Sequence, residues 1–263
     1  MSILKEIRDY KLEFVSKQKK IISQKKLENS IQENDQKYEF SKKLNNEKNK
    51  ISIIGEIKKA SPSLGSFIND DVNIVKIAKE YEKNNISCLS VLTDEKYFNG
   101  NNDDFKKIRN QISIPILRKE FIVDEYQIYE SKLIGADCVL IILSMLSSHQ
   151  AIKFNQISND LGMDTIIEVH NEDELNIANK IDSKIIGINN RNLNNFITDI
   201  NTTIKLAEHL NENNKILVSE SGFHHKDDIK KIYAATKINN FLIGEYLMKS
   251  KNLTNHIRDL LNQ

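Results

Sequence analysis

Eight short runs rich in β-branched and other apolar residues recur along the chain, and stretches of helical length separate most of them. The runs are Ile51–Ile57, Ser87–Leu92, Ile114–Leu117, Cys138–Leu143, Thr165–Val169, Ile185–Ile188, Ile216–Val218 and Asn240–Ile243. Between them, Val72–Asn84, Asp124–Ile134, His149–Leu161, Glu172–Lys180, Thr202–Leu210 and Lys226–Ala234 carry apolar residues at helical intervals. Parallel strands need a crossover to return to the same end of a sheet, so strict alternation of this kind predicts a parallel sheet covered by helices. Eight such units fit a closed (β/α)8 TIM barrel better than an open doubly wound sheet. No G-x-G-x-x-G or G-x-x-x-x-G-K-[ST] motif opens a helix, which removes the usual nucleotide-binding signatures.

Ahead of the first run, Ile3, Ile7, Phe14, Val15, Ile22 and Leu27 recur among charges with no proline or glycine between them. They predict a long amphipathic helix over residues 3 to 31, with room for one break, followed by a short helix at Tyr38–Leu44 and a polar linker. The expected division is therefore an N-terminal helical extension, 1–50, packed on a barrel, 51–263. The basic stretch Lys17–Lys26 reads as a solvated helix face rather than a nucleic-acid patch, because acids balance it.

Composition narrows the partners. With 38 Lys+Arg against 37 Asp+Glu the net charge is +1, so no global field attracts nucleic acid or an anionic membrane, and affinity for an anion has to be local. The longest apolar run, around Val139–Leu143, falls far short of the roughly 20 residues a membrane span needs. With no apolar leader at the start, a cytoplasmic protein is expected. Cys88 and Cys138 sit in apolar runs and read as buried free thiols. A small molecule is the expected partner, and a monomer the expected state, with a weak dimer as the alternative.

A barrel of this kind carries its site at the C-terminal ends of the strands. The first run ends in Glu56-Ile57-Lys58, the third in Arg118-Lys119-Glu120 and the fifth in Glu168-Val169-His170. The sixth ends in Asn189-Asn190-Arg191, the seventh in Ser219-Glu220-Ser221-Gly222 and the eighth in Gly244-Glu245. Strand residues two apart share a face, so Glu56 pairs with Lys58 and Glu168 with His170. Any one such pair is equally an ornamental surface ion pair, but charges at the same end of most strands point to one shared pocket. Ser221-Gly222 and Gly244-Glu245 place small residues beside helix starts after strands seven and eight, where barrels often bind phosphate. Two carboxylates and two lysines facing an anionic substrate suit general acid–base chemistry. A lysine in a dry pocket or beside other cations titrates low enough to give up a proton, and a carboxylate near lysine stays ionised. Residue types alone leave a Schiff-base lysine open. No zinc-ligand spacing is present, adjacent His224 and His225 reading as a surface turn, and neither a metal nor a cofactor is expected.

The segments GEIKKASPSLGSF (55–67), SVLTDEKYFNG (90–100), PILRKEFIVDEYQIYESKLIGAD (115–137), IEVHNEDEL (167–175), IGINNRNL (186–193), VSESG (218–222) and LIGEYLM (242–248) closely resemble the indole-3-glycerol phosphate synthase family. The resemblance spans the barrel in order and extends to the N-terminal helices. It implies a (β/α)8 fold and a carboxy-lyase reaction of tryptophan biosynthesis: closure of the pyrrole ring of 1-(2-carboxyphenylamino)-1-deoxyribulose 5-phosphate with loss of CO2 and water. Carried over, Lys119 is the general acid and Glu168 the general base. Lys58 holds the anthranilate carboxylate, Glu56 and Asn189 orient the reacting groups, and Arg191 is a further cation. Ser61, Ser221, Gly222, Gly244 and Glu245 match the phosphate site, with Glu245 acting through its backbone N–H.

Two positions depart from the family pattern: Leu64 stands where many members carry lysine, and Phe223 replaces the commoner isoleucine. The chain stops after the eighth helix, so a monofunctional synthase is expected. A phosphate-binding barrel isomerase such as phosphoribosylanthranilate isomerase, or an inactive phosphate-binding barrel, are the competing readings. Neither needs the set Glu56, Lys58, Lys119 and Glu168.

Overall fold

Eight parallel strands close into a barrel, each pairing with its neighbours in chain order and the last pairing with the first. The strands are β1 (Ser52–Ile57), β2 (Cys88–Leu92), β3 (Ile116–Lys119), β4 (Cys138–Ile142), β5 (Asp164–Val169), β6 (Ile185–Asn189), β7 (Ile216–Glu220) and β8 (Asn240–Ile243). The computed structural model describes residues 3–31, 39–45, 50–61, 65–66, 73–193, 196–209, 215–250 and 252–261. Tyr38, Pro62, Ser63, Leu64, Val72 and Leu210, which bear on the expectations above, lie outside them, as does most of the expected linker. The expected (β/α)8 barrel is the observed one.

The strands are buried on both faces, and alternate residues enter two different cores. Ile54, Cys88, Leu117, Leu140, Ile166 and Val218 pack inside the barrel. Ile53, Leu89, Ile116, Val139, Ile167 and Phe241 pack outward under the helices. Phe223 is buried edge-on against Phe241, ring centres 5.5 Å apart, which gives the departure at that position a packing role. Cys88 and Cys138 are buried free thiols, as expected.

Three strands run past their expected C-terminal ends. β3 continues through Arg118 and Lys119, β6 through Asn189 and β7 through Ser219 and Glu220, where the first polar residue marks the expected end. Arg118 points outward but stays buried, because Thr93, Ser131, Asn102 and Glu130 and the Gln127 carbonyl together accept its N–H groups. A buried cation satisfied at every nitrogen does not end a strand.

Before the barrel lie α1 (Ile3–Ile21), α2 (Gln24–Ser30) and α3 (Phe40–Asn45). The expected long helix breaks once, at Ile22-Ser23, where the Ser23 hydroxyl accepts from Lys26 N and caps α2. In the basic stretch Lys17 makes an exposed pair with Glu13, whereas Lys19 reaches Asp124 of the barrel at 2.7 Å. α1 and α3 grip opposite ends of the barrel, and α2 packs on its outside against the helix Tyr126–Leu133. At the C-terminal end of the strands, Ile3, Leu4 and Ile7 of α1 meet the interior; at the other end Phe40 and Leu44 of α3 join the same interior core. Asp164, at the start of β5, accepts from Ser41 N at 2.8 Å and fixes α3 there.

Crossover helices follow at α4 (Ile74–Lys83), α5 (Asn102–Arg109), α6 (Tyr126–Leu133), α7 (Ser148–Asp160), α8 (Glu172–Ala178), α9 (Asn201–Ala207), α10 (Lys226–Thr236) and α11 (Leu253–Leu261). Among the described residues no helix is long and apolar enough to cross a membrane. Phe40 is fully buried, so Phe40→Ala should cost about 3–5 kcal/mol of stability while leaving turnover at the far end of the barrel within about twofold of the parent. Urea unfolding and a steady-state assay on the same preparation check both halves.

Candidate active site

The interior face of several strands ends, at the C-terminal rim, in a charged residue. Glu56 follows Ile54, Lys119 follows Leu117, Glu168 follows Ile166 and Glu220 follows Val218, each two residues on and so on the same face. This arrangement turns the last layer of an apolar core into a ring of charges. Lys119 is its centre: Nζ lies 3.1 Å from Glu168 Oε2 and makes a second, shorter bond to Glu220 Oε2. Glu56, buried, pairs with Lys58 Nζ at 2.6 Å.

Glycines leave the space these carboxylates occupy. A Cβ on Gly187 would overlap Glu220 Oε1, and one on Gly244 would overlap Glu56 Oε2. Asn189 Oδ1 accepts from Arg191 N at 3.0 Å, and the Arg191 guanidinium donates to the Phe196 carbonyl at 3.1 Å. The site residues therefore hold one another in place before any substrate arrives.

Above this floor lies a cleft with unlike walls. Ile7, Phe98, Phe121, Leu140, Ile142 and Leu193 form an apolar side, and Lys58, Lys119, Glu168, Asn189 and Arg191 a charged one. A second recess continues from it and shares Glu56, Lys58, Arg191 and Ser221. Its remaining wall includes Gly222, Phe223, His224, Gly244 and Glu245. Ser221 and Gly222 take φ of 68° and 83°, a left-handed turn in the wall of the recess. The Glu245 side chain bonds Lys249 at 2.5 Å. Ser61 forms part of a two-residue ladder with Gly65, and its side chain lies outside the described residues. All the other expected site residues converge on the two recesses. His224 and His225 lie on an exposed turn, both backbone N–H groups donating to Asp228. Among the described residues no group of three or more His, Cys, Asp or Glu is set to hold a metal ion.

The charge balance corrects one expectation. Burial alone would lower the Lys119 pKa, but the Glu220, Glu168 and Glu56 carboxylates outweigh it and raise the pKa above the ordinary lysine value. Lys119 is thus a firmly charged ammonium rather than a lysine that titrates low. Glu168 behaves as expected: burial opposes its charge, yet Lys119 and the nearby His170 and Asn189 carry it below the usual carboxylate range. Glu56 is lowered too, with Lys58, Lys119 and Arg191 overcoming its burial. Three carboxylates around one ammonium cannot all ionise freely. Glu220 gives way, pushed up to about 7 by burial and the Glu168 charge, with its Oε1 buried and unpartnered.

Glu220 is the residue that sequence reasoning passes over, although its spacing from Val218 marks it as interior-facing. Lys11 is another. It is buried between Asp94 at 2.7 Å and Glu120 at 2.8 Å, on the α1 face that also buries Ile7 and Val15. The three stand four residues apart, so helical period alone places that lysine against the barrel.

A (β/α)8 barrel with a floor of buried charges, a cleft with one apolar wall and an adjoining recess at the C-terminal ends of the strands is the class that fold and site define. Comparison with known proteins gives the family. The model of the indole-3-glycerol phosphate synthase family matches residues 4–260. Among named synthases, that of Thermoanaerobacter pseudethanolicus is 43% identical over 261 residues, covering 99% of this chain and 98% of its own. The Clostridium acetobutylicum synthase is 45% identical over 245 residues, covering 93% and 91%. That of Legionella pneumophila is 44% identical over 210 residues, 80% of each chain. The chain belongs to the indole-3-glycerol phosphate synthase family.

Glu220 supplies a test of the charge balance. A carboxyl whose folded pKa lies above its unfolded value binds an extra proton in the folded state, so its contribution to stability is lost as pH rises from about 4.5 towards 7. Glu220→Gln removes that dependence. The melting temperature of the variant relative to the parent should rise between pH 5 and pH 8, and a constant difference would contradict the assignment.

Proposed function

We propose that this chain catalyses ring closure of 1-(2-carboxyphenylamino)-1-deoxyribulose 5-phosphate to indole-3-glycerol phosphate, with Lys119 as general acid and Glu168 as general base. The observation that carries the role assignment is the 3.1 Å approach of Lys119 and Glu168 on the floor between the apolar wall and the anion recess. The anthranilate ring lies against the apolar wall with its carboxylate at Lys58. The phosphate lies against the Ser221-Gly222 and Gly244-Glu245 backbone with Arg191 beside it, and Ser61 completes that site. Between these two anchors the ribulose carbonyl is held over Lys119.

As the ring carbon attacks the carbonyl carbon, the oxygen gains electron density and takes a proton from Lys119. A developing alkoxide is far more basic than a ketone, so an ammonium of raised pKa is well matched to donate at that moment and not before. Departure of CO2 restores aromaticity to the ring. Loss of the hydroxyl as water, assisted by a lysine, and removal of a proton by Glu168 then form the indole double bond. Glu56 and Asn189 orient Lys58 and Glu168. Positioning supplies much of the acceleration, since both reacting centres belong to one substrate held at its two ends.

The helices of residues 1–50 act as an extension of a barrel formed by 51–263, supported by α1 residues in the cleft and α3 residues at the opposite end. The enzyme works in the cytoplasm as a monomer on a small phosphorylated substrate and without a cofactor.

Purified protein should convert the carboxyphenylamino substrate into fluorescent indole-3-glycerol phosphate with no added metal or cofactor. Lys119→Ala and Glu168→Gln should each lower kcat by about 100-fold or more while the product still binds. Near-normal turnover in either variant would contradict its role, and binding without turnover in the parent would favour an inactive phosphate-binding barrel.

A further inference from the structure

His170 lies beside the reaction centre and has no part in the mechanism above. It is held between two carboxylates. Its Nε2 makes an ion-pair approach of 3.3 Å to Glu168 Oε1, the oxygen of that group not bonded to Lys119, without hydrogen-bond alignment, and its Nδ1 is hydrogen-bonded to Glu174 Oε2 at 3.1 Å. Glu174 is itself fixed. Its Oε2 also accepts the His170 backbone N–H at 2.9 Å, and its Oε1 accepts from Asn171 Nδ2 at 2.9 Å. Asn171 in turn caps α8, accepting from Glu174 N. A carboxylate oxygen facing each ring nitrogen is favourable only when both nitrogens carry protons.

We propose that His170 is a positioning residue for the base, an imidazolium wedged between Glu168 and Glu174 that keeps Glu168 a carboxylate while Lys119 is without its proton. The proposal rests on the reading of Lys119 as acid and Glu168 as base. When Lys119 gives its proton to the substrate oxygen, the buried carboxylates lose their shared counter-charge. Glu168 would then tend to capture a proton and cease to be a base. His170 remains charged at that point, on the side of Glu168 away from Lys119, and no proton passes through it.

The surroundings favour the charged ring. Burial alone would lower the His170 pKa, but Glu168 and Glu174 outweigh that and raise it to about 9. The charged groups facing the ring are Glu168 at the end of β5 and Glu174 on α8, with Lys119 and Glu220 beyond Glu168. The single turn Leu143–Met145, packed against this corner, contributes none. Glu172, also at the start of α8, turns instead towards His209.

The test is the pH dependence of turnover in His170→Gln and in Glu174→Gln, with Glu168→Gln alongside. Without the imidazolium the pKa of Glu168 rises, so the acidic limb of the kcat profile should move to higher pH. His170→Gln should lose about tenfold in kcat near pH 6 and recover most of it near pH 8.5, with KM within about twofold throughout. Glu174→Gln should show a smaller shift in the same direction. A kcat lowered by one factor at every pH, as a purely structural role would give, or an unchanged profile, would overturn the proposal. If the variants do not fold, NMR on the unmodified protein decides: the His170 ring protons should hold the imidazolium shift at pH 7.5, and a neutral ring there would overturn it. Near-normal turnover in Glu168→Gln would instead remove the base assignment itself, an outcome separate from the behaviour of His170.

Discussion

One buried ammonium shared among carboxylates governs the C-terminal rim of the barrel. Lys119 closes the interior face of β3 and meets Glu168 and Glu220 from across the barrel, with the Glu56 charge close enough to act on it. Burying any of these groups alone would be costly, and together they set one another's charge. Glu168 is held as a strong, ionised carboxylate and Lys119 as a secure ammonium, while Glu220 absorbs the excess negative charge by resisting ionisation. The barrel makes this possible because alternate strand residues point inward. A single polar substitution in the last interior layer of several strands brings groups far apart in sequence to one centre.

The N-terminal helices belong to the same electrostatic unit. Lys11 reaches from α1 to Asp94 and Glu120, the residues that follow β2 and Lys119. Lys19 and Gln24 reach Asp124 and Glu125 a few residues further along the same loop. The segment carrying Lys119 is thus clamped from outside the barrel, and α1 also contributes Ile3, Leu4 and Ile7 to the cleft.

Much of this is legible in the sequence because the relevant signals are local. Alternating apolar runs and amphipathic stretches mark the barrel, and the charges ending those runs mark the face that carries the cleft. Pairs two residues apart, such as Glu56 with Lys58 and Glu168 with His170, follow directly from strand geometry. Glu220 and Arg118 are harder, since a charged residue ordinarily ends an apolar strand and both continue one. Only partners from other strands and helices make that tolerable for Arg118. The sign of the Lys119 shift is out of reach for the same reason. It depends on how many carboxylates surround the ammonium, and those come from three different strands. Lys11 carries a usable signal, its four-residue spacing from Ile7 and Val15, which the surrounding charges conceal.

The most direct measurement is a crystal structure of the protein with indole-3-glycerol phosphate bound. The phosphate should rest on the Ser221-Gly222 and Gly244-Glu245 backbone, and the indole should lie against the wall formed by Phe98, Phe121, Leu140 and Ile142. Both Lys119 Nζ and a Glu168 oxygen should stand within roughly 3 Å of the ligand. A phosphate seated elsewhere, or a Lys119 still enclosed by Glu168 and Glu220 and out of reach of the ligand, would contradict the assignment of this site.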